Sequence, residues 1–314
     1  MEGWVDMSLY NFNISLDDSV KQVSAPAVPL VVPVDDPRPV VEGKVFRIAV
    51  CLSGQPRHWK LAADNIKRFF DFSERHHPET GIEVVTDYFI HTWDVNTWRK
   101  PKTDWSVFDD EVHGDIDSIV DTYKPKAWVM DKFVKEEHLR AWDPMFYSHA
   151  RSLMLKRDYE LEQDFQYDLV IKARLDVIYN PAHQFPLQRV WPGVGYTLTP
   201  ISKFPSEFNY NNFDDVLFYG DSPTMDLIGD IYGTYKTLHT QELVDAQDAG
   251  MDIKPDMWYG PGCLLYEHMT NLSIHPDGNR IVEYAVVRST AVEENLDGIY
   301  DYEKIRQKWF DWYI

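Results

Sequence analysis

Cysteine is scarce in this sequence: Cys51 and Cys263 are its two cysteines among 314 residues. Two cysteines cannot form the disulfide framework of a small secreted domain. The first ten residues, MEGWVDMSLY, carry Glu2 and Asp6 where a secretory signal has positive charge. The longest early apolar run, PAVPLVVPV, is interrupted by proline and is too short to span a bilayer. We therefore expect a soluble, cytoplasmic protein.

Positive charge is also in short supply, with 31 Lys and Arg residues against 51 Asp and Glu, a net charge of −20. Proteins that bind nucleic acids gain most of their affinity by neutralising phosphates with Lys and Arg. Anionic membrane surfaces likewise attract basic segments. The charge balance argues against both partners, and it predicts a neutral partner or a small anion held in one local basic pocket.

Hydrophobic residues make up 44% of the chain and charged residues 26%, which are ordinary values for a globular protein. Residues 1–44 differ from the rest, because five prolines interrupt a Val-rich stretch without helical or alternating periodicity. Proline fixes φ and removes a donor, so an extended N-terminal arm is predicted there. The arm is either a loose tail or a segment pinned on a partner or on its own domain. Residues 45–314 are predicted to form a single domain.

From residue 45 onward, apolar strand patterns alternate with helical patterns, which predicts an α/β fold with a mostly parallel sheet flanked by helices. The predicted strands cover 45–52, 84–90, 127–130 and 167–174, and the predicted helices cover 59–72 and about 144–165, with Asp143 as the helix cap. After Asp176 the pattern becomes irregular. Short strands are predicted at 195–199, 216–219 and 281–287, and helices from Ser222, at 262–269 and at 302–313.

Three short segments carry the chemistry, at residues 53–57, 174–176 and 214–215. Two follow the end of a predicted strand and the third precedes one. Ligands of open α/β sheets bind outside the carboxyl ends of the strands, so we group the three segments as one candidate site.

The first segment, Ser-Gly-Gln-Pro-Arg, offers backbone donors and one guanidinium. Guanidinium groups bind phosphate in a bidentate manner, so Arg57 is a candidate pyrophosphate ligand. The segment has neither the glycine spacing of a dinucleotide-binding fingerprint nor the lysine of a P-loop. The alternative is an ordinary surface turn with a solvated arginine.

Arg174 and Asp176 lie two residues apart at a strand end and thus on one face. They form either a structural ion pair or a site in which Asp176 binds Mg²⁺ or Mn²⁺. His183 and His275 are conceivable further ligands. Asp214 and Asp215 are either solvated turn residues or candidates for the general base that activates an acceptor hydroxyl.

Aromatic residues are numerous, with 11 Trp and 18 Tyr. Sugars stack on aromatic faces, and four tryptophans fall in predicted loops: Trp93, Trp98, Trp191 and Trp258. The sequence contains no Gly-x-Ser-x-Gly elbow, no His-Glu-x-x-His motif and no protein-kinase motif set. Cys51 is a poor candidate nucleophile because it lies inside a predicted buried strand.

Three segments together resemble a group of glycosyltransferase-like proteins of bacteria and large viruses or phages, related to the WavE lipopolysaccharide-synthesis family. These segments read IAVCLSGQPR at 48–57, DYFIHTWD at 87–94 and YDLVIKARLD at 167–176. The later part of the family pattern is matched by Asp214-Asp215, Gly220 and Met225-Asp226. The resemblance covers roughly residues 46–230 and does not include the arm.

The resemblance implies a GT-A-like (Rossmann-like) fold that transfers a sugar from a nucleotide-diphosphate sugar to a glycan or similar acceptor. It implies that Asp176 binds the metal ion and that Asp214 and Asp215 are catalytic residues near the acceptor. It also implies that the donor is bound by six residues: Ser53, Gly54, Gln55, Arg57, His91 and Arg174. Two positions depart from the family pattern: Arg174 stands where the first acid of Asp-x-Asp is expected, and Asp214 stands where Asn is expected.

Two other classes remain open at this stage. One is a structural or assembly protein, conceivably virion-associated, that is built on a transferase-like domain and anchored to a partner or to a second copy through residues 1–44. If the chain is viral, its location would be the host cytoplasm. The other is a carbohydrate-binding module that recognises sugars without converting them.

Overall fold

The computed structural model describes residues 45–72, 76–77, 81–94, 116–134, 142–180, 182, 185, 187, 197–200, 215–238, 261–274, 277–280 and 284–286. Several sequence predictions lie outside these residues: the arm at 1–44, the helix at 302–313, and the roles of Asp214, His183, His275, Trp98, Trp191 and Trp258. The division of the chain at residues 44 and 45 therefore stays a prediction.

One mixed sheet forms the centre of the domain. Its strands are β1 (Phe46–Gly54), β2 (Val84–Trp93), β3 (Ala127–Asp131), β4 (Leu169–Arg174), β6 (Thr197–Pro200), β7 (Phe218–Gly220) and β8 (Asp277–Arg280). They are arranged in the order β3-β2-β1-β4-β7-β6-β8. The pairings among β1, β2, β3 and β4 are parallel, whereas β7 is antiparallel to β4 and to β6. The expectation of an α/β fold with a mostly parallel sheet is confirmed.

Helices cover both faces of this sheet. They are α1 (Trp59–Phe70), α2 (Ile116–Tyr123), α3 (Asp143–Gln163), α4 (Ser222–Gly229), α5 (Ile231–Leu238) and α6 (Pro261–Asn271). A separate two-stranded sheet pairs β5 (Val177–Tyr179) with β9 (Tyr284–Val286) in antiparallel fashion. Strand β5 begins directly after Asp176, where the sequence pattern predicted no strand. None of the described helices is long and apolar enough to cross a membrane.

The apolar run in the sequence of β1 is uninterrupted because this strand is buried on both faces. Successive side chains of a strand point to opposite faces, and both faces are covered by helices. Ile48, Val50 and Leu52 belong to one buried cluster with α1 and α2, whereas Ala49 and Cys51 belong to the other with α3, α4, α5 and α6. A strand buried on both faces reads as a continuous apolar run.

The crossovers place β1 beside β4. The chain runs outward from β1 through β2 to β3 and then returns through α3 to β4 on the other side of β1. The strand order therefore reverses between β1 and β4, and we refer to the carboxyl ends of these two strands as the carboxyl edge. In open α/β sheets this topological switch point is the usual ligand position.

Two local predictions about α3 are wrong. Asp143 is the first residue of the helix, and the capping position is Trp142, which makes no side-chain cap. Helical spacing in the sequence predicts an apolar stripe through Phe146, Ala150, Leu153, Arg157 and Leu161. Leu161 is nevertheless 75% exposed, while Lys156 and Glu160 of the same helix are buried. Paired charges inside the protein take the place of apolar residues on this part of the helix.

The single helix expected from Ser222 is divided into α4 and α5 at Asp230.

Candidate functional site

The three segments grouped from the sequence do meet at one edge of the sheet. Ser53 and Gly54 end β1, and Arg174 ends β4. Asp215 precedes β7, and because β7 is antiparallel to β4, with Lys172 opposite Phe218, the start of β7 lies beside the end of β4. The Lys172 ammonium donates a hydrogen bond to the backbone carbonyl of Asp215, which confirms that they are neighbours.

Two guanidinium groups converge on the Asp176 carboxylate. Arg174 Nε donates to Asp176 Oδ1 and an Arg174 terminal nitrogen donates to Oδ2, both at 2.8 Å. A terminal nitrogen of Arg57 lies 3.2 Å from the same Oδ2. Asp176 is only 2% exposed, whereas the Arg57 and Arg174 side chains are 14% and 15% exposed. The buried carboxylate thus fixes two cationic groups that still reach the surface.

Of the two interpretations of Arg174 and Asp176, the structure shows the ion pair. Both oxygens of Asp176 already accept charge-assisted hydrogen bonds, and the adjacent guanidinium charges oppose a cation. Among the described residues, no three Cys, His, Asp or Glu side chains are grouped as metal ligands. The described residues therefore do not suit Mg²⁺ or Mn²⁺ at Asp176.

The loop that carries Arg57 is held at Gly54. Its N–H donates to Ser148 Oγ at 2.7 Å, and its carbonyl accepts from Thr92 Oγ1 at 2.9 Å. Gly54 has φ +115°, a conformation that side-chain-bearing residues rarely adopt, and a Cβ there would meet open space. The backbone angle, not crowding, requires glycine. Ser53 Oγ makes a long 3.5 Å hydrogen bond to the Ala173 carbonyl, and Gln55 is half-buried in the same loop.

His91, expected to bind the donor, instead lies within a buried chain of hydrogen bonds. Its Nδ1 is 2.6 Å from Ser148 Oγ and its Nε2 is 3.3 Å from Asp131 Oδ2. An ionised Asp131 carboxylate can only accept, so Nε2 carries the proton of the neutral imidazole and donates it to Asp131, and Nδ1 then accepts from the Ser148 hydroxyl. Both ring nitrogens are used inside the protein, so His91 acts on the loop through Ser148.

The electrostatics of this chain follow from burial and from its neighbours. Burial lowers the pKa of His91 to about 4, against the opposing effect of Asp131. Burial acts to raise the pKa of Asp131, but the Tyr147 hydroxyl, His91 and Arg151 outweigh it and the pKa is lowered. At neutral pH, His91 is therefore neutral and Asp131 is ionised.

A buried basic region lies behind the two arginines. The Lys172 side chain is fully buried, donates to the backbone carbonyls of Asp215 and Val216, and lies 5.3 Å from the centre of the Phe218 ring. His149 is also buried; burial first, then Lys172 and Arg174, lower its pKa well below the usual range. His149 is therefore a neutral imidazole beside cationic groups.

Sequence reasoning did not identify Asp131, Tyr147, Ser148 or Arg151 as site residues. Asp131 follows directly on the predicted strand 127–130, so the rule used for Arg174 and Asp176 applied to it as well. The three α3 residues gave no comparable signal, because they reach the site only through the packing of α3 on β1 and β2.

No family model matches the chain, and no curated protein matches it. The chemistry must therefore be argued from the site itself. The carboxyl edge offers two fixed guanidinium groups and Asp215, whose carboxylate makes no hydrogen bond to another described residue. Such a site suits a phosphate-bearing ligand with a base nearby.

Proposed function

We propose that the protein is a glycosyltransferase of GT-A-like fold that moves a sugar from a nucleotide-diphosphate sugar to a hydroxyl of a glycan or similar acceptor. The observation that carries the proposal is the convergence of Arg57 and Arg174 on buried Asp176 at the switch point between β1 and β4. In a chain with a net charge of −20, this concentration of cations favours a small anionic ligand.

The donor diphosphate binds to the exposed edges of the two guanidinium groups, which Asp176 holds in place. Groups fixed in advance lose less entropy on binding than mobile surface arginines. The resemblance to nucleotide-sugar transferases supports a nucleotide-diphosphate sugar as the ligand that carries this diphosphate. Asp215, at the same edge of the sheet, is the candidate base.

The reaction is a displacement at the anomeric carbon. The acceptor oxygen forms a bond to that carbon as the bond from carbon to the diphosphate oxygen breaks, and the diphosphate leaves with the electron pair. Asp215 takes the proton of the acceptor hydroxyl. Arg57 and Arg174 stabilise the charge that develops on the leaving diphosphate. A single displacement of this kind inverts the anomeric configuration.

Donor binding is tested by thermal shift with UDP-, GDP-, CMP- and dTDP-sugars. We expect one nucleotide to stabilise the wild-type protein, by about 2.7 kcal/mol at a hundred times its Kd. Arg57→Gln and Arg174→Gln should each weaken binding about tenfold to a hundredfold, because each removes charge-assisted hydrogen bonds to phosphate.

The matched control is Arg68→Gln, since Arg68 is exposed in the last turn of α1, at the far end of the helix from the carboxyl edge. It should bind the donor like the wild type. Wild-type protein that responds to no nucleotide, or Arg57→Gln and Arg174→Gln variants that bind as well as Arg68→Gln, would contradict the proposal.

A further inference from the structure

A second polar pair lies at the carboxyl end of β3, next to the candidate site. Asp131 Oδ2 accepts from the Tyr147 hydroxyl at 2.7 Å and lies 3.3 Å from His91 Nε2 and 3.6 Å from Arg151 Nε. Its other oxygen, Oδ1, makes no hydrogen bond to a residue that the structure describes. The Asp131 and Arg151 side chains are 26% and 32% exposed. One carboxylate oxygen is thus anchored and the other is available.

The Arg151 guanidinium also has a hydrogen-bond donor that the described residues do not use. Its Nε is buried and has no hydrogen-bond partner among the described residues, because 3.6 Å to Asp131 is an ion-pair distance and too long for a hydrogen bond. Buried N–H groups without a partner are uncommon in folded proteins. The partly exposed pair therefore places a carboxylate acceptor next to guanidinium donors.

Aromatic rings surround this pair. The Tyr147 ring lies 5.2 Å from Trp93 and 5.1 Å from Tyr232, and Trp93 lies 5.4 Å from Phe133, between ring centres. The loop after β3 is fixed to the end of β2, because the Phe133 N–H donates to Asp94 Oδ1 at 2.8 Å. Tyr147, Tyr232 and Phe133 are half-buried, so part of each of these side chains reaches the surface.

We propose that Asp131 and Arg151 form a subsite for two neighbouring hydroxyl groups of a sugar ring, whose apolar face packs on the aromatic rings around Tyr147. One hydroxyl donates to Asp131 Oδ1, and the other accepts from the Arg151 guanidinium. Vicinal hydroxyls match an acceptor and a donor held side by side, and the C–H face of a sugar matches an aromatic surface.

The charges of the pair favour this class of ligand over others. The ionised carboxylate repels an anion and the guanidinium repels a cation, whereas a neutral polyol satisfies both. The pKa of Asp131 is lowered, so the carboxylate accepts hydrogen bonds at neutral pH.

The subsite lies apart from the two arginines, Arg57 and Arg174. The carboxyl ends of β3 and β1 are two strand spacings apart, about 10 Å. The sugar is therefore either the ribose of a bound nucleotide or a hexose of a donor or acceptor. The assignment to a ribose rests on the proposed function, because it requires a bound nucleotide. The recognition of two neighbouring hydroxyl groups by Asp131 and Arg151 does not depend on the proposed function.

The test measures binding by the full chain of a ribonucleoside diphosphate, its 2′-deoxy and 3′-deoxy analogues, and free glucose, galactose and mannose. The proteins are wild type, Asp131→Asn, Arg151→Gln and the control Asp158→Asn, since Asp158 is exposed on α3 two turns beyond Arg151. Each apo protein is first unfolded thermally to establish that it is folded. Arg151→Gln leaves two of the three contacts to Asp131 Oδ2 in place and therefore serves if Asp131→Asn is unstable.

The expected result is about tenfold weaker binding when a ring hydroxyl is removed from the ligand or when either subsite residue is replaced, with no change in Asp158→Asn. Removing the hydroxyl should have little further effect in the subsite variants, because the two changes delete the same contact. A dependence on the 2′- and 3′-hydroxyls assigns the ribose, and a dependence confined to free hexoses assigns a donor or acceptor sugar.

The outcomes for the two proposals differ. Nucleotide binding that needs Arg57 and Arg174 but ignores the ring hydroxyls and both subsite variants overturns the subsite and keeps the proposed function. Hexose binding that needs Asp131, without any nucleotide binding, keeps the subsite and overturns the proposed function. Wild-type protein that binds none of these ligands overturns both.

Discussion

The two halves of α3 both bury polar side chains, but they pair them differently. In the second half, Lys156 Nζ donates to Glu160 Oε2 at 2.8 Å, to Ser222 Oγ at 2.6 Å and lies 2.7 Å from Asp226 Oδ1. Ser222 Oγ donates to the same Glu160 oxygen, and the Tyr167 N–H donates to Oε1. The three ammonium protons have three acceptors, so we call these residues the closed cluster.

The first half of α3 contributes Tyr147, Ser148, His149 and Arg151 to the carboxyl edge of the sheet. There, hydrogen-bonding capacity remains unused on His149 Nδ1 and Arg151 Nε, which have no partner in the described part of the chain. The closed cluster attaches α4 to α3 and has little left to offer a ligand. The difference favours the proposed binding site beside the first half of α3 and a stabilising role for the second half.

The largest effect is expected from breaking the closed cluster with Lys156→Met. The substitution leaves Glu160 and Asp226 without their cation, and removing one partner of a buried ion pair costs about 3–5 kcal/mol. The free energy of unfolding, measured with urea, should fall by that amount. Nucleotide binding by the folded variant should not change, because Lys156 lies eight residues, about 12 Å along the helix, from Ser148.

Exposed Lys132 supplies the matched control, and Lys132→Met should change the free energy of unfolding by less than about 0.5 kcal/mol. Equal stability of the two methionine variants would show that the closed cluster does not stabilise the fold.

A smaller effect is expected from acid, which acts on the first half of α3. The folded-state pKa of His91 is lowered from 6.5 to about 4, so between these values the unfolded chain binds more protons than the folded protein. Stability contributed by neutral His91 is complete above pH 6.5 and is lost as the pH falls from 6.5 to 4, by about 3 kcal/mol. The lowered pKa values of His149 and Asp131 act in the same direction.

Urea unfolding at several pH values between 4 and 7 measures this dependence. His91→Gln should flatten the pH dependence of the free energy of unfolding, whereas the exposed His76→Gln should leave it as in the wild type. A His91→Gln protein with the full wild-type pH dependence would exclude His91 as its source.

The parallel part of the sheet was predictable because its signals are local. Strands β1 to β4 are apolar runs bounded by turn residues, and the rule that ligands bind beyond strand carboxyl ends grouped Gly54, Arg174 and Asp215, which do lie at one edge of the sheet. That rule needs only the strand ends and their direction.

The polar contacts of α3 were not predictable in the same way. Gly54 and Ser148 are 94 residues apart in the sequence, and Lys156 and Ser222 are 66 apart. The apolar stripe predicted for α3 includes Leu161, which is exposed, and leaves out Lys156 and Glu160, which are buried. The Met225-Asp226 pair of the family resemblance likewise lies in α4, where Asp226 belongs to the closed cluster.

The central claim is that ligand binds at the carboxyl edge beside the first half of α3. Hydrogen–deuterium exchange of the full chain, with and without UDP or GDP, tests it most directly. We predict slower exchange at residues 53–59 and 174–178 when nucleotide is present, and unchanged exchange at 156–163 and 222–229. Protection confined to the closed cluster and α4, or no protection anywhere with either nucleotide, would contradict the claim.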